Sequence, residues 1–276
     1  MRLVHTLLFL INQPQDILMA TNCLKSLEKS TFRTVVVYNQ GSWDTDRLKN
    51  YLAQFSLDCH ILGGGVNVGT SIGRQLCFEY IWENLPDTRY VSELHLDMIF
   101  PPNWEDALVR YLDENDEPLI GCGIVDKTGA MPFLNKNVPL PSEPEEIVKL
   151  LGGLKTDCVV HGFTNPCVHV SEILRETGGY NVHFLRGAQC FEDDSMLLGY
   201  YYYYGTKRGW RPKVNYNSVV YHNIAGQRWA VGGTTGENYA GLVRQYGVMG
   251  LKALSGLHSS AWHRRFFWDR YVEGIQ

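Results

Sequence analysis

Apolar positions along the chain fall into two alternating kinds of run. Leu3 to Ile11 and Thr34 to Tyr38 (TVVVY) are near-continuous apolar stretches, as expected of strands buried on both faces, and Cys59 to Leu62 is a third, shorter one. Between them, Asp16 to Lys29 places Ile17, Leu18, Ala20, Leu24 and Leu27 at helical spacing, and Asp44 to Phe55 and Ser71 to Leu85 read as two further helices. Polar or Gly-rich turns close the three strands: Asn12 with Gln13 and Pro14, then Asn39-Gln40-Gly41-Ser42, then Gly63 to Gly69. This β-α-β-α-β-α-β rhythm predicts an α/β domain with a mostly parallel central sheet and helices on both faces. Sheets of that kind hold ligands outside the carboxyl ends of their strands.

The stretch Tyr90 to Trp104 (YVSELHLDMIFPPNW) is where this rhythm meets chemistry. Alternation along a strand predicts that Glu93, His95 and Asp97 share one face, with Pro101 and Pro102 ending the strand just beyond Asp97. Ionisable groups on a buried strand are costly unless a cation or hydrogen-bond partner sits against them. Downstream, Glu105 to Asn115 reads as a helix, Leu119 to Ile124 as a strand, and Asp126 to Glu146 as a long loop. Val159 to Val170 is expected to be strand with turns, and Ser171 to Thr177 a short helix stopped by Gly178-Gly179. A helix over Phe191 to Tyr204 begins at Glu192-Asp193-Asp194, where carboxylates also suit the helix dipole. Arg211 to Tyr221 is extended and delivers His222. Glycine is frequent from Ile224 onward, and Gly232 to Gly241 reads as a lid or a surface loop. Near the end, HRRFFWDRYV suits a docked terminal helix, with a peripheral membrane contact as the alternative.

Composition narrows the class. With 276 residues, 45% of them hydrophobic, the chain can bury the core of one large domain. A net charge of -4 without a basic block argues against a nucleic-acid partner. The 7 cysteines are scattered and contain no C-x-x-C pair, so reduced thiols and a cytoplasmic location are expected, and a zinc site is not. No run approaches the roughly 18 apolar residues of a spanning helix.

Taken in order, these motifs resemble the GT-A-fold glycosyltransferases, the family 2 enzymes in particular, over roughly Leu3 to His222. Leu10-Ile11-Asn12 matches the polar turn after the first strand. Tyr38-Asn39-Gln40-Gly41-Ser42 matches the nucleotide-contacting turn, without its usual Asp, and Asn67-Val68-Gly69 matches the Asn-x-Gly before the third helix. His95-Leu96-Asp97 falls on the Asp-x-Asp metal motif with His in the first place. Gly178-Gly179-Tyr180 leads to the acidic pair Glu192-Asp193, and His222 matches a late His.

The resemblance implies a GT-A (nucleotide-diphospho-sugar transferase) fold. Residues 1–222 would form the transferase domain, with 1–100 the nucleotide-binding half, 101–222 the acceptor half, and 223–276 a C-terminal lid and tail. It implies a nucleoside-diphosphate sugar donor, UDP foremost, held by Asn12, Asn39, Ser42, Asn67, Gly69 and Arg228. Mn²⁺ or Mg²⁺ would sit on Asp97, His95 and His222. Asp193 would be the general base, with Glu192 as substitute, for an inverting transfer to a hydroxyl on a glycan, lipid-linked or protein acceptor. The rival readings are a non-catalytic sugar-nucleotide or glycan-binding protein, and a sugar-phosphate nucleotidyltransferase. The latter would want a Gly-rich, Arg-containing loop where INQPQD stands.

Overall fold

The computed structural model describes residues 2–41, 43–224 and 235–276, with Lys207 and Thr235 described in backbone only. In chain order the elements are β1 (Leu3–Phe9), α1 (Pro14–Leu27), β2 (Thr34–Asn39), α2 (Thr45–Leu52), β3 (Asp58–Leu62), α3 (Thr70–Asn84), β4 (Tyr90–Leu94), β5 (Met98–Ile99), α4 (Asp106–Glu114), β6 (Leu119–Asp126), β7 (Ala130–Met131) and β8 (Lys136–Asn137). There follow α5 (Pro144–Gly153), β9 (Val159–His161), β10 (Cys167–Val170), α6 (Ser171–Thr177), α7 (Glu192–Tyr200), a π-turn over Tyr201–Gly205, α8 (Thr206–Arg208), β11 (Lys213–His222), α9 (Thr235–Leu257) and α10 (Ala261–Gly274).

The central sheet runs β3-β2-β1-β4-β10-β6-β11-β5, with β9 added against β11. Strands β1 to β4 are mutually parallel, as are β6 and β11, while β10 lies antiparallel between β4 and β6 and joins the two parallel groups. The apolar run of β1 is continuous because both its faces are covered. Leu3, Leu7 and Phe9 pack with α1, α2 and α4. Val4 lies on the other side with Phe78 of α3, Leu174 of α6, Leu197 of α7, Leu242 of α9 and Phe267 of α10. A third cluster seats Ile147 and Leu151 of α5 on Val125, Val214 and Val219.

Glycines end elements where the chain needs left-handed backbone: α6 stops at Gly178 (φ 86°), whose N–H and that of Gly179 return to the Arg175 and Leu174 carbonyls. The Asp126–Glu146 region holds the β7–β8 hairpin and the start of α5, structure that its irregular pattern concealed. From Thr235 the Gly-rich segment is helical, through a kink at Gly247 (φ 64°), and α9 with α10 packs as a hairpin beside α7. Burial of Leu242, Leu251, Leu254 and Phe267 outweighs the low helix propensity of the glycines. Phe267 is buried while Trp262 and Trp268 of the same helix are exposed, so α10 docks by one face.

Candidate functional site

Because β1, β2, β3, β4, β6 and β11 point the same way, their carboxyl ends meet along one edge of the sheet. β10 runs the other way, so its amino end, preceded by Asn165, meets that edge too. His222 at the end of β11 pairs with Met98 of β5, and the Asn223 N–H donates to the Asp97 carbonyl at 2.9 Å. The topology therefore brings the ends of β4 and β11 together.

Strand β4 stops at Leu94, where its pairing with β1 ends, and residues 95–97 turn away from the sheet. The expected alternation of Glu93, His95 and Asp97 on one face fails at this point. His95 and Asp97 instead join His222. His222 Nε2 lies 3.3 Å from His95 Nδ1 and 3.4 Å from Asp97 Oδ1, and one ligand atom from each residue lies within 4.8 Å of the others. A divalent ion with bonds of about 2.1 Å separates adjacent ligand atoms by about 3 Å, so the spacing fits. Nδ1 of His222, 3.1 Å from the Asn165 carbonyl, donates there, which leaves the Nε2 lone pair facing the cluster. Burial first, then the neighbouring His222 ring and the Arg74 charge, lower the His95 pKa to about 3 against the opposing pull of Asp97 and Glu93, so its ring is neutral and able to ligate. The donor set, two imidazole nitrogens and a carboxylate, suits a transition-metal ion such as Mn²⁺ better than Mg²⁺.

Asp193 sits in the first turn of α7, beside Glu192. Asn165 Nδ2 donates to both its carboxylate oxygens, at 3.3 Å each. Burial, then the negative charges of Glu93 and Asp194, push the Asp193 carboxyl up to about 7, against the Asn165 hydrogen bond and Arg74. Asn165 thus touches the acid through its side chain and His222 through its carbonyl. Sequence reasoning missed it, since Val159 to Val170 read only as strand with turns. Asp194 points elsewhere, to His258 Nε2 at 2.7 Å, so it ties α7 to the turn after α9.

Glu93 belongs to a neighbouring buried network, joined to Asn165 through the Cys167 thiol, which lies 3.4 Å from Asn165 Oδ1 and 3.1 Å from His169 Nε2. His169 Nε2 and Tyr180 OH contact its two oxygens at 2.9 and 2.8 Å, and Arg74 Nε lies 3.3 Å away. Arg74 also donates to Thr6 and to the Leu94 carbonyl, which ties α3 to β1 and β4 at the edge that carries the site. His169 in turn meets Tyr200 OH at 2.8 Å. The Tyr180 N–H donates to Gln75 Oε1 at 2.8 Å, and a β-carbon on the preceding Gly179 (φ 64°) would overlap that same oxygen. Cys167 adjoins His169 and Glu93, but Arg74 already balances the carboxylate there, and the trio reads as core. Replacing Arg74 with Met should leave Glu93 buried without its cation and cost about 3 kcal/mol in urea unfolding. A midpoint within experimental error of the parent would remove Arg74 from this account.

The turns that follow β1, β2 and β3 lie on the same edge. Asn12 is exposed at the end of β1, its N–H bonded to Asp16 at the start of α1. Asn39 is fully buried, and its amide is engaged on both sides, donating to the Trp43 carbonyl at 3.0 Å and accepting from the Gly41 N–H at 3.1 Å. Its side chain thus shapes the turn. Gln40, unremarked in the sequence, clamps the two turns together: its Nε2 donates to the Gly69 carbonyl and its Oε1 accepts from the Val68 N–H, both at 2.9 Å. Asn67 is exposed and caps its own turn, accepting from the Gly69 N–H at 2.9 Å. Gly69 (φ 86°) meets the backbone of Gly187 and Ala188. Ser42 and Arg228 lie outside the described residues. Trp104 is fully buried, donating to Ser30 Oγ at 3.1 Å, so it anchors the start of α4. No disulfide joins any two of the described cysteines, and no helix among the described residues is long and apolar enough to cross a membrane.

No family model matches the chain in sequence, and no curated protein does. Solved structures match in fold. TarS 1-349 of S. aureus superposes with a TM-score of 0.59 at 12% identity, over 91% of this chain and 66% of that one. The same protein in complex with UDP-GlcNAc gives a TM-score of 0.59 at 12% identity, over 99% and 72%. GalNAc-T7 with UDP, GalNAc and Mn²⁺ gives 0.56 at 13% identity, over 80% and 44%. The chain thus spans just under two thirds of the first TarS structure and less than half of GalNAc-T7. What these similarities establish is the architecture: the chain has the GT-A fold, an α/β domain around a mostly parallel sheet.

Proposed function

We propose that this chain is a family 2-like glycosyltransferase that moves one sugar from a UDP-sugar to an acceptor hydroxyl with inversion. The observation that carries the reading is Asn165, which holds Asp193 with its side chain and His222 of the His95–Asp97–His222 cluster with its carbonyl. One sheet edge thereby carries a cation-binding set and, linked to it, a carboxylate suited to proton transfer. The structures that resemble this fold include complexes with UDP, UDP-GlcNAc and Mn²⁺, which supports the choice of donor and ion.

In this reading Asp193 takes the proton of the acceptor hydroxyl as that oxygen attacks the anomeric carbon. The bond from the anomeric carbon to the diphosphate oxygen breaks on the opposite side, and its electron pair leaves with UDP. Asn165 fixes the carboxylate by donating to both oxygens, and its burial raises its basicity. His95, Asp97 and His222 would hold a divalent cation, which when bound offsets the charge on the departing diphosphate. The turns at Asn12 and at Gln40 to Gly69 lie where the nucleotide of the donor would rest.

Calorimetry with UDP, GDP and dTDP, each with and without Mn²⁺, tests the reading. UDP should bind, more tightly with Mn²⁺; failure of all three nucleotides to bind would remove it. The pH profile is a second check. With its folded pKa near 7, Asp193 is protonated below that value and ionised above it. Turnover at saturating donor should therefore rise with pH through an inflection near 7 and level off above. A profile flat from pH 5 to 8 would assign the base elsewhere.

A further inference from the structure

The loop between Gly187 and Phe191, which delivers the chain to Asp193, is gripped from the side of α9. Asn238, fully buried in the first turns of that helix, accepts from the Gly187 N–H at 2.6 Å. Its Nδ2 donates to the Cys190 carbonyl at 2.9 Å and faces the Gly187 carbonyl at 3.4 Å. Three residues on, along the same face of α9, Gly241 lies so close to Phe184 that any β-carbon would overlap its carbonyl. The helix is therefore seated against 184–190 by a close approach and by a fitted amide.

The loop needs such a hold. Cys190 (φ 77°) and Phe191 (φ 63°) are consecutive non-glycine residues in the left-handed region, immediately before α7. The opposite side of the loop meets the donor-type turn: the Thr70 N–H donates to the Ala188 carbonyl at 2.9 Å, and a β-carbon on Gly69 would stand 3.1 Å from the Gly187 oxygen. The Phe191 ring is boxed by Tyr239 and Phe267, at centroid distances of 5.3 and 6.5 Å.

We infer that Asn238 is a positioning residue for Asp193, fixing the 187–191 loop so that the carboxylate stands in register with the donor turn at Asn67–Gly69. This rests on the assignment of Asp193 as base. It gives α9 a part in the reaction although none of its side chains need touch substrate.

The test is a double-mutant cycle on the full chain, with UDP affinity by calorimetry and UDP release from the UDP-sugar found to be turned over. Asn238→Ala should lower kcat about tenfold or more while UDP affinity stays within about threefold, because the loss is one of geometry at the base. In an Asp193→Asn background, Asn238→Ala should cause no further loss, since the residue acts through the carboxylate. Should Asn238→Ala not fold, Asn238→Ser leaves a small uncharged hydroxyl in place of the amide, cannot serve both Gly187 and Cys190, and should show the same split to a smaller degree. Unchanged kcat in a folded Asn238 variant, beside an inactive Asp193→Asn, overturns the inference and leaves the base assignment standing. An equal loss in both backgrounds overturns it as well, by showing a merely structural role. Full turnover by Asp193→Asn itself would remove the base assignment, and this inference with it.

Discussion

Asp193→Asn should lose transfer by about 10²–10⁴-fold while UDP affinity and Mn²⁺ affinity remain those of the parent. The substitution keeps the shape of the side chain and can retain one hydrogen bond to Asn165, but it cannot accept the acceptor's proton. The retained UDP affinity is the informative half of the result. A donor site built on the Asn12 and Gln40–Gly69 turns does not depend on the carboxylate, so loss of both functions together would mean collapse of the α7 terminus. Measured side by side, UDP isotherms and turnover separate the two. A variant that turns over at the parental rate would move the base, with Glu192 the next position to replace.

Asp97→Asn should abolish Mn²⁺-dependent tightening of UDP binding and weaken binding of Mn²⁺ alone by about tenfold or more. Asp97 is the single carboxylate of the His95–Asp97–His222 set, so its loss leaves only neutral ligands for a dication. The composition of that set also predicts an order among ions: Mn²⁺ should bind the parent protein more tightly than Mg²⁺, which prefers oxygen throughout. Titrating the protein with each ion alone, by calorimetry or by the Mn²⁺ resonance signal, reads this without any sugar donor. Identical Mn²⁺ binding by Asp97→Asn and the parent would place the ion elsewhere.

Much of the parallel half was legible in the sequence because its strands are buried on both faces and its helices keep an apolar stripe. Each pattern is a local consequence of burial, and β1 to β4 fall close to where they were expected. The grouping of Asp97 with His95 and His222 follows from topology, since β11 ends beside the exit of β4. What escaped were the residues that connect distant segments. Arg74 looks like an ordinary helix charge until α3 is laid on β1 and β4. Asn165 looks like turn chemistry until β10 is inserted beside β4. Gln40 and Asn238 are amides whose partners are backbone groups 28 and 51 residues away, and no local pattern announces that. The failure of the alternation for His95 and Asp97 has a different cause: period two holds only while the backbone stays in the ladder, and β4 leaves it after Leu94.

The position of β10 also bears on how the molecule reaches its folded state. This strand bridges β4 and β6 in space but follows both in sequence, so the two parallel groups cannot be joined until the chain has passed Val170. His95 and His222 are 127 residues apart, and their meeting waits on β11 as well. Loop-closure entropy of that kind predicts that the site forms late and that refolding is slower than in helical proteins of similar size, which stopped-flow refolding would read. The early β1–β4 half would gather first, with its sheet edge at β4 awaiting a partner. A cation or nucleotide that binds only the completed edge would then act on the refolding protein by mass action, drawing nearly folded chains into the final state.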